Sequence, residues 1–255
     1  MGAALQGVAL QTVPVAKFQE LPGGQRVAFR FAPGAGPTLV FLPGYMSDMA
    51  GSKAAAMFDW ACANNRACLL LDYSGCGQSA GDFAAGTLSR WRDEVLALIA
   101  AQCAGPVVLV GSSMGGWLML LVALAIPDRV AALVGIAAAP DFTDWGFTAD
   151  QKAQLAAGET VVERNPYGPE PTPTFPAFWR DGQALRLLDS PIALTCPVRL
   201  LHGQADGDVP WQTALRLAQT LCSADVQVTL VKDGNHRLSR EVDIALLLRT
   251  VAALS

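Results

Sequence analysis

Apolar residues along this chain gather in two kinds of run, and the two kinds alternate. Short continuous runs, TLVFLP (38–43), RACLLLDYSG (66–75), PVVLV (106–110), VAALVGIAAA (130–139), VRLLHG (198–203) and VQVTLV (226–231), predict strands buried on both faces. QRVAFRFA (25–32) alternates instead, as an outer strand does. Between the strands, KAAAMFDWACANN (53–65), TLSRWRDEVLALIA (87–100), WLMLLVALAI (117–126) and REVDIALLLRTVAAL (240–254) predict helices. In the second of these, Leu88, Trp91, Val95, Leu98 and Ile99 share one face and Thr87 is placed to cap it. Strands alternating with helices predict an α/β fold, a mostly parallel sheet flanked by helices.

The alternation stops between Pro140 and Pro191. Pro166, Pro169, Pro171, Pro173 and Pro176 crowd into this stretch, yet Phe142, Trp145, Phe147, Tyr167, Phe175, Phe178 and Trp179 give it too many aromatics for a solvated linker. The expectation is a single α/β domain over residues 1–255, with its core in 25–140 and 191–255 and a small cap inserted at 141–190.

Composition narrows the class. The net charge is −4 and no run of Lys or Arg stands out, so no nucleic-acid partner is expected. The most apolar region, 106–140, is divided by Gly111, Gly115, Gly116 and Pro127 into pieces too short to span a bilayer, so no stable membrane insertion is expected. The N-terminal MGAALQGVALQTVPVAKF has no basic residue before Lys17, which does not fit a secretory signal, and Gln6 spoils a myristoylation pattern. Six scattered cysteines without a C-x-x-C, and only two histidines, predict reduced thiols, no metal and no cofactor. These features together predict a cytoplasmic enzyme acting on a small molecule.

The chemistry centres on Gly111-Ser112-Ser113-Met114-Gly115, which fits G-x-S-x-G at the junction of a predicted strand and a predicted helix. Such a turn exposes the serine on a strained backbone, but its hydroxyl needs a general base and an acid that fixes the base's tautomer. His236, in DGNHRLS beyond the last strand, is the expected base, and Asp206, in HGQADGDVPW beyond the strand before it, the expected acid. The order Ser113, Asp206, His236 brings three loops to the carboxyl edge of a parallel sheet. Asp208 is the rival acid, and His202 a rival histidine better suited to capping backbone groups. The main-chain N–H groups of Tyr45 and Met114 are the expected oxyanion donors. Asp72 reads as structural and Cys76 as a small buried residue. A serine at the elbow argues against epoxide hydrolases and dehalogenases, which use an aspartate there.

PGYMSDMAGSKA (43–54), LDYSGCGQSAGDF (71–83), TLSRWRDEV (87–95), GSSMGGWLML (111–120) and SPIALTCPVRLLHGQADGDVPW (190–211) together resemble the α/β-hydrolase superfamily. Within it they are similar to the branch that includes mitochondrial palmitoyl-protein thioesterase and acyl-glucuronide esterase activity, over nearly all of residues 37–255. The resemblance implies the triad Ser113, Asp206 and His236 and serine-dependent hydrolysis of acyl thioesters or activated esters, and it alone implies an S-acylated protein substrate. Residues 141–189 do not match the family pattern, and the N-terminal segment is not expected to be a transit peptide.

Overall fold

The computed structural model describes residues 15–21 and 24–254. Most of the N-terminal segment on which the targeting expectations rest, residues 1–14, lies outside them. The chain runs β1 (Lys17–Glu20), β2 (Arg26–Ala32), β3 (Ala35–Leu42), α1 (Ser52–Ala63), β4 (Arg66–Leu71), α2 (Leu88–Gln102), β5 (Val107–Ser112), α3 (Met114–Ala125) and β6 (Val130–Ile136). It continues through α4 (Phe142–Trp145), α5 (Ala149–Ala157), β7 (Val161–Glu163), β8 (Thr172–Thr174) and α6 (Pro176–Ala184), and closes with β9 (Val198–Gly203), α7 (Gln212–Thr220), β10 (Val226–Val231) and α8 (Glu241–Ala252).

Eight strands form one sheet in the order β1-β2-β4-β3-β5-β6-β9-β10, parallel from β4 to β10. Two antiparallel pairings finish one edge, β2 on β4 and β1 on β2. The alternating stretch 25–32 is thus the second strand; the outermost is the four-residue KFQE, too short to announce itself by periodicity.

Strand residues alternate between two apolar layers. Val40, Leu42, Val107 and Leu109 join α2, α3 and α7 on one face, while Leu39, Phe41, Val108 and Val110 join α1 and α8 on the other. Thr87 caps α2, accepting from the Arg90 N–H, as its sequence position predicts. Helix α3 is buried from Met114 to Ala123, which explains why it is apolar all round. No described helix is long and apolar enough to cross a membrane.

Strand β6 pairs directly with β9, Leu133 opposite Val198, so residues 137–197 leave the sheet and return beside their point of departure. Within this excursion α4, α5 and α6 surround a two-stranded antiparallel sheet of β7 and β8. The sequence pattern hides these elements because none exceeds nine residues. One carboxylate ties the two ends together: buried Asp141, at φ 59°, accepts from the N–H groups of Leu187 (2.8 Å) and Leu188 (2.7 Å). Inside, Phe178 is fully buried among Tyr45, Trp91 and Phe142, and Trp179 donates its indole N–H to the Thr143 carbonyl (3.0 Å). Asp181 reaches back to α2, accepting from the Ser89 N–H and hydroxyl.

Candidate active site

Strand β5 and helix α3 are joined by a single residue, Ser113, with φ 55° and ψ −120°. A non-glycine residue in this region is strained, and it persists because its surroundings over-determine it. The Ser113 N–H donates to the Ile136 carbonyl (2.9 Å), and its own carbonyl accepts from Gly116 (2.8 Å) and Ala139 (3.0 Å). The chain can double back so sharply only with glycine on either side. A Cβ on Gly115 would lie 2.0 Å from the Leu42 carbonyl oxygen, and one on Gly111 2.3 Å from that of Gly115.

His236 follows β10, and its Nε2 lies 3.1 Å from Ser113 Oγ while its Nδ1 lies 2.9 Å from Asp206 Oδ2. Asp206 follows β9; its other oxygen accepts from the backbone N–H groups of Asp208 and Val209, both at 2.9 Å. With both oxygens engaged, the carboxylate is fixed facing the imidazole, so Nδ1 carries a proton and Nε2 is free to accept one from the serine. Burial alone raises the Asp206 carboxyl pKa, but hydrogen bonds from His202, His236 and Val209 outweigh it and hold the group well below the usual carboxylate range.

The rival residues take other places. His202 is buried, its Nε2 3.0 Å from the Val209 carbonyl and 3.2 Å from Asp206 Oδ2. Because that carbonyl can only accept, Nε2 bears a proton, and the ring braces Asp206 from behind. Asp208 is exposed and accepts the Tyr167 hydroxyl. Asp206, Asp208 and His236 are the only trio of potential metal ligands among the described residues, within 4.8 Å of one another, and their atoms already serve these hydrogen bonds. Cys76 is buried without a histidine partner, and burial pushes its thiol up to about 12.

The loop after β3 lies against the elbow: a Cβ on Gly44 would come within 3.4 Å of Ser113 Cβ. Among the described residues no hydrogen bond engages the N–H of Tyr45 or of Met114, the first residue of α3. The Tyr45 side chain turns away, packing on Phe83 and Phe178 and donating its hydroxyl to the Pro173 carbonyl (2.8 Å).

Ser113 and His236 open onto a cavity of about 660 Å³. Phe41, Tyr45, Phe142, Trp145 and Phe147 give it an apolar part, and Lys53, Arg164, Asp208 and Arg237 a polar one. Of the aromatics that set 141–190 apart from a solvated linker, Phe142, Trp145, Phe147 and Tyr167 line the cavity. Phe178 is withdrawn from it, packed against Tyr45, Trp91 and Phe142. Two residues are at the site without having been singled out for it by sequence reasoning. Lys53 lines the cavity, donates to the Arg237 carbonyl, and is lowered to about 8 by burial and the nearby Arg237. Tyr167 lies over His236, ring centroids 6.4 Å apart. No local pattern marks either, since both act through residues distant in sequence.

Residues 39–245 match the family model described as the alpha/beta hydrolase family. The mouse protein named palmitoyl-protein thioesterase ABHD10, mitochondrial, is 41% identical over 237 residues, 91% of this chain and 78% of the relative. Two solved structures superpose closely. The alpha/beta hydrolase domain-containing protein 10 from mouse has a TM-score of 0.88 and 37% identity, covering 94% of this chain and 98% of the other. A putative hydrolase from Agrobacterium vitis S4 has a TM-score of 0.87 and 38% identity, covering 94% and 97%. The name shared by the mouse, human and rat relatives includes the word mitochondrial, which overturns the expected cytoplasmic location. Reduced thiols separate oxidising compartments from reducing ones, and do not separate one reducing compartment from another.

Proposed function

This chain belongs to the alpha/beta hydrolase family and is a hydrolase, and from that premise we propose a serine thioesterase or esterase that works through an acyl-enzyme on Ser113. The observation that carries the reading is the hydrogen-bonded line from Ser113 Oγ through His236 to Asp206, with the serine on a strained turn at the floor of a cavity. Ser113 Oγ attacks the acyl carbonyl as His236 Nε2 takes its proton, and Asp206 stabilises the resulting imidazolium. The carbonyl oxygen, now negative, is met by the N–H groups of Tyr45 and Met114. Collapse breaks the bond to the leaving atom, which takes the proton from His236 and leaves the imidazole neutral again. Water then attacks the acyl-enzyme with His236 as base, releasing the acid and restoring the serine.

The substrate class follows from the relatives, which are named palmitoyl-protein thioesterases, and from the apolar part of the cavity. We read residues 1–255 as one catalytic domain whose excursion at 141–190 forms a cap over an acylated small molecule or protein. The mitochondrial relatives make a mitochondrial setting the natural one for this reading. The cationic Lys53, Arg164 and Arg237 on the cavity wall favour a second reading, an esterase for acyl glucuronides or other polar esters.

Purified protein treated with a fluorophosphonate probe should label at Ser113 and nowhere else. Folded wild-type protein that stays unlabelled would sink the serine-hydrolase reading. Substrates sharing one acyl group but leaving through thiol, phenol, glucuronic acid or amine then rank the classes, with thioester and activated ester cleaved and amide hardly at all, because an amine leaves only when protonated in good geometry.

A further inference from the structure

One buried acid beside the site takes no part in the steps above. Asp72, 1% exposed, stands just beyond β4 and spans two loops with its carboxylate. Its Oδ1 accepts from the Met49 N–H (2.7 Å) in the loop after β3, and its Oδ2 from the Gln78 N–H (2.8 Å) in the loop after β4. The carboxylate fills the space beside Gly77, where a Cβ would lie 2.3 Å from Oδ2. The next residue, Tyr73, is equally buried and donates its hydroxyl to the Pro43 carbonyl (3.0 Å).

These two contacts bracket Tyr45, one gripping the chain before it and one after. Between them Met46 is held at φ 55°, a left-handed conformation a methionine adopts only under constraint. Burial pushes the Asp72 carboxyl pKa up, so the site keeps a group that burial disfavours where an apolar side chain would sit at lower cost. What the acid supplies in return is a fixed path for residues 43–49.

We propose that Asp72 and Tyr73 are positioning residues that aim the Tyr45 N–H at the developing oxyanion, acting through the loop and never touching the substrate. The inference rests on Tyr45 being an oxyanion donor. A donor displaced by a fraction of an ångström stabilises the tetrahedral oxygen less while leaving ground-state binding almost untouched, so the loss belongs in kcat.

The test uses the full chain and one thioester substrate. Tyr73→Phe, which removes only the hydroxyl, should lower kcat by about 5- to 20-fold with KM within twofold, and Asp72→Ala by about 10- to 100-fold, less than the roughly 10²- to 10³-fold that outright loss of one oxyanion donor costs, because the donor is displaced and not removed. Asp72→Asn keeps an acceptor for the Met49 N–H and should recover most of the loss. Affinity for a trifluoromethyl ketone, whose serine adduct carries the oxyanion, should fall in parallel with kcat/KM. Leu217→Ala, a buried change on α7, provides a variant of lowered Tm with kcat unchanged. If Asp72→Ala does not fold, Tyr73→Phe alone decides. A folded Tyr73→Phe with kcat within twofold of wild type, a loss carried by KM, or an equal kcat loss in Leu217→Ala overturns the proposal. An active Ser113→Ala would overturn the underlying mechanism instead.

Discussion

The elbow and the 141–190 excursion sit on opposite walls of one cavity and are built on opposite principles. Around Ser113 nothing has room to move: Gly111 and Gly115 touch carbonyl oxygens, β5 is buried along its length, and the strained serine is held by backbone hydrogen bonds from three directions. The excursion has short helices and a two-stranded sheet, and it is joined to the rest by rings packed on Tyr45, Trp91 and Trp117 as well as by Asp141, Asp181 and the Tyr45 hydroxyl. The contrast teaches a division of labour. In the proposed mechanism the reacting atoms are fixed by the sheet edge, where sub-ångström placement matters, while much of the cavity wall comes from a segment with only short elements of its own.

The sharpest way to break the comparison is to remove the reacting groups. Ser113→Ala and His236→Ala should each lower kcat on the order of 10⁴- to 10⁶-fold with unchanged circular dichroism and Tm; a loss below tenfold at either would show that the chemistry lies elsewhere. Next comes the pair of aspartates. Asp206→Asn should cost on the order of 10⁴-fold in kcat, since His236 loses the carboxylate that fixes its tautomer, whereas Asp208→Asn, at the excursion's contact with Tyr167, should cost less than about tenfold. The reverse order would reassign the acid.

Stability changes should divide the same way. Phe178→Ala removes a fully buried ring from the excursion and should cost about 3–5 kcal/mol in denaturant unfolding, yet leave kcat for an acetyl ester within about fivefold; a kcat loss as large as that of Asp206→Asn would erase the distinction. At the sheet edge, the folded protein holds Asp206 as the carboxylate below its ordinary 3.8, so in acid the unfolded chain binds the extra proton. Stability from this group is therefore full above about pH 4 and declines as pH falls, by a few kcal/mol, and Asp206→Asn should flatten that part of the acid profile. The smallest effect concerns acyl length. If the apolar part of the cavity takes the chain, each methylene should add up to ~0.8 kcal/mol, roughly fourfold in kcat/KM, until the space is full. A preference for acetyl over octanoyl would assign that space to another group.

Much of the fold was legible because the core obeys one rule at a time. VRLLHG and VQVTLV are β9 and β10 residue for residue, and Thr87 caps α2 where its position says it should. The relations among Ser113, Asp206 and His236 were legible as chain order at strand ends, although a linear pattern says nothing of the distances between them. What escaped was whatever depends on side chains meeting across the fold. His202 stands four residues before Asp206 at a strand end, a spacing that invites a bond, but its partnership with the Val209 carbonyl comes from the turn between them. Tyr167 and Phe178 belong to a segment too short in each element for period to emerge, and there the aromatic count signalled order without saying what faced the cavity.

Asp141 carries one further consequence. Because a single carboxylate holds residue 141 to residues 187 and 188, the excursion starts and finishes at the same point, and the gap the sheet must bridge does not depend on how much chain lies between. Closing a longer loop across a fixed gap adds only about 0.6 kcal/mol per doubling of length. The sheet therefore sets little limit on the segment's length, and what an exchange must preserve are its ties to α3 and to the loop after β3: the Trp117 indole N–H on the Leu185 carbonyl (3.3 Å) and the Tyr45 hydroxyl on the Pro173 carbonyl.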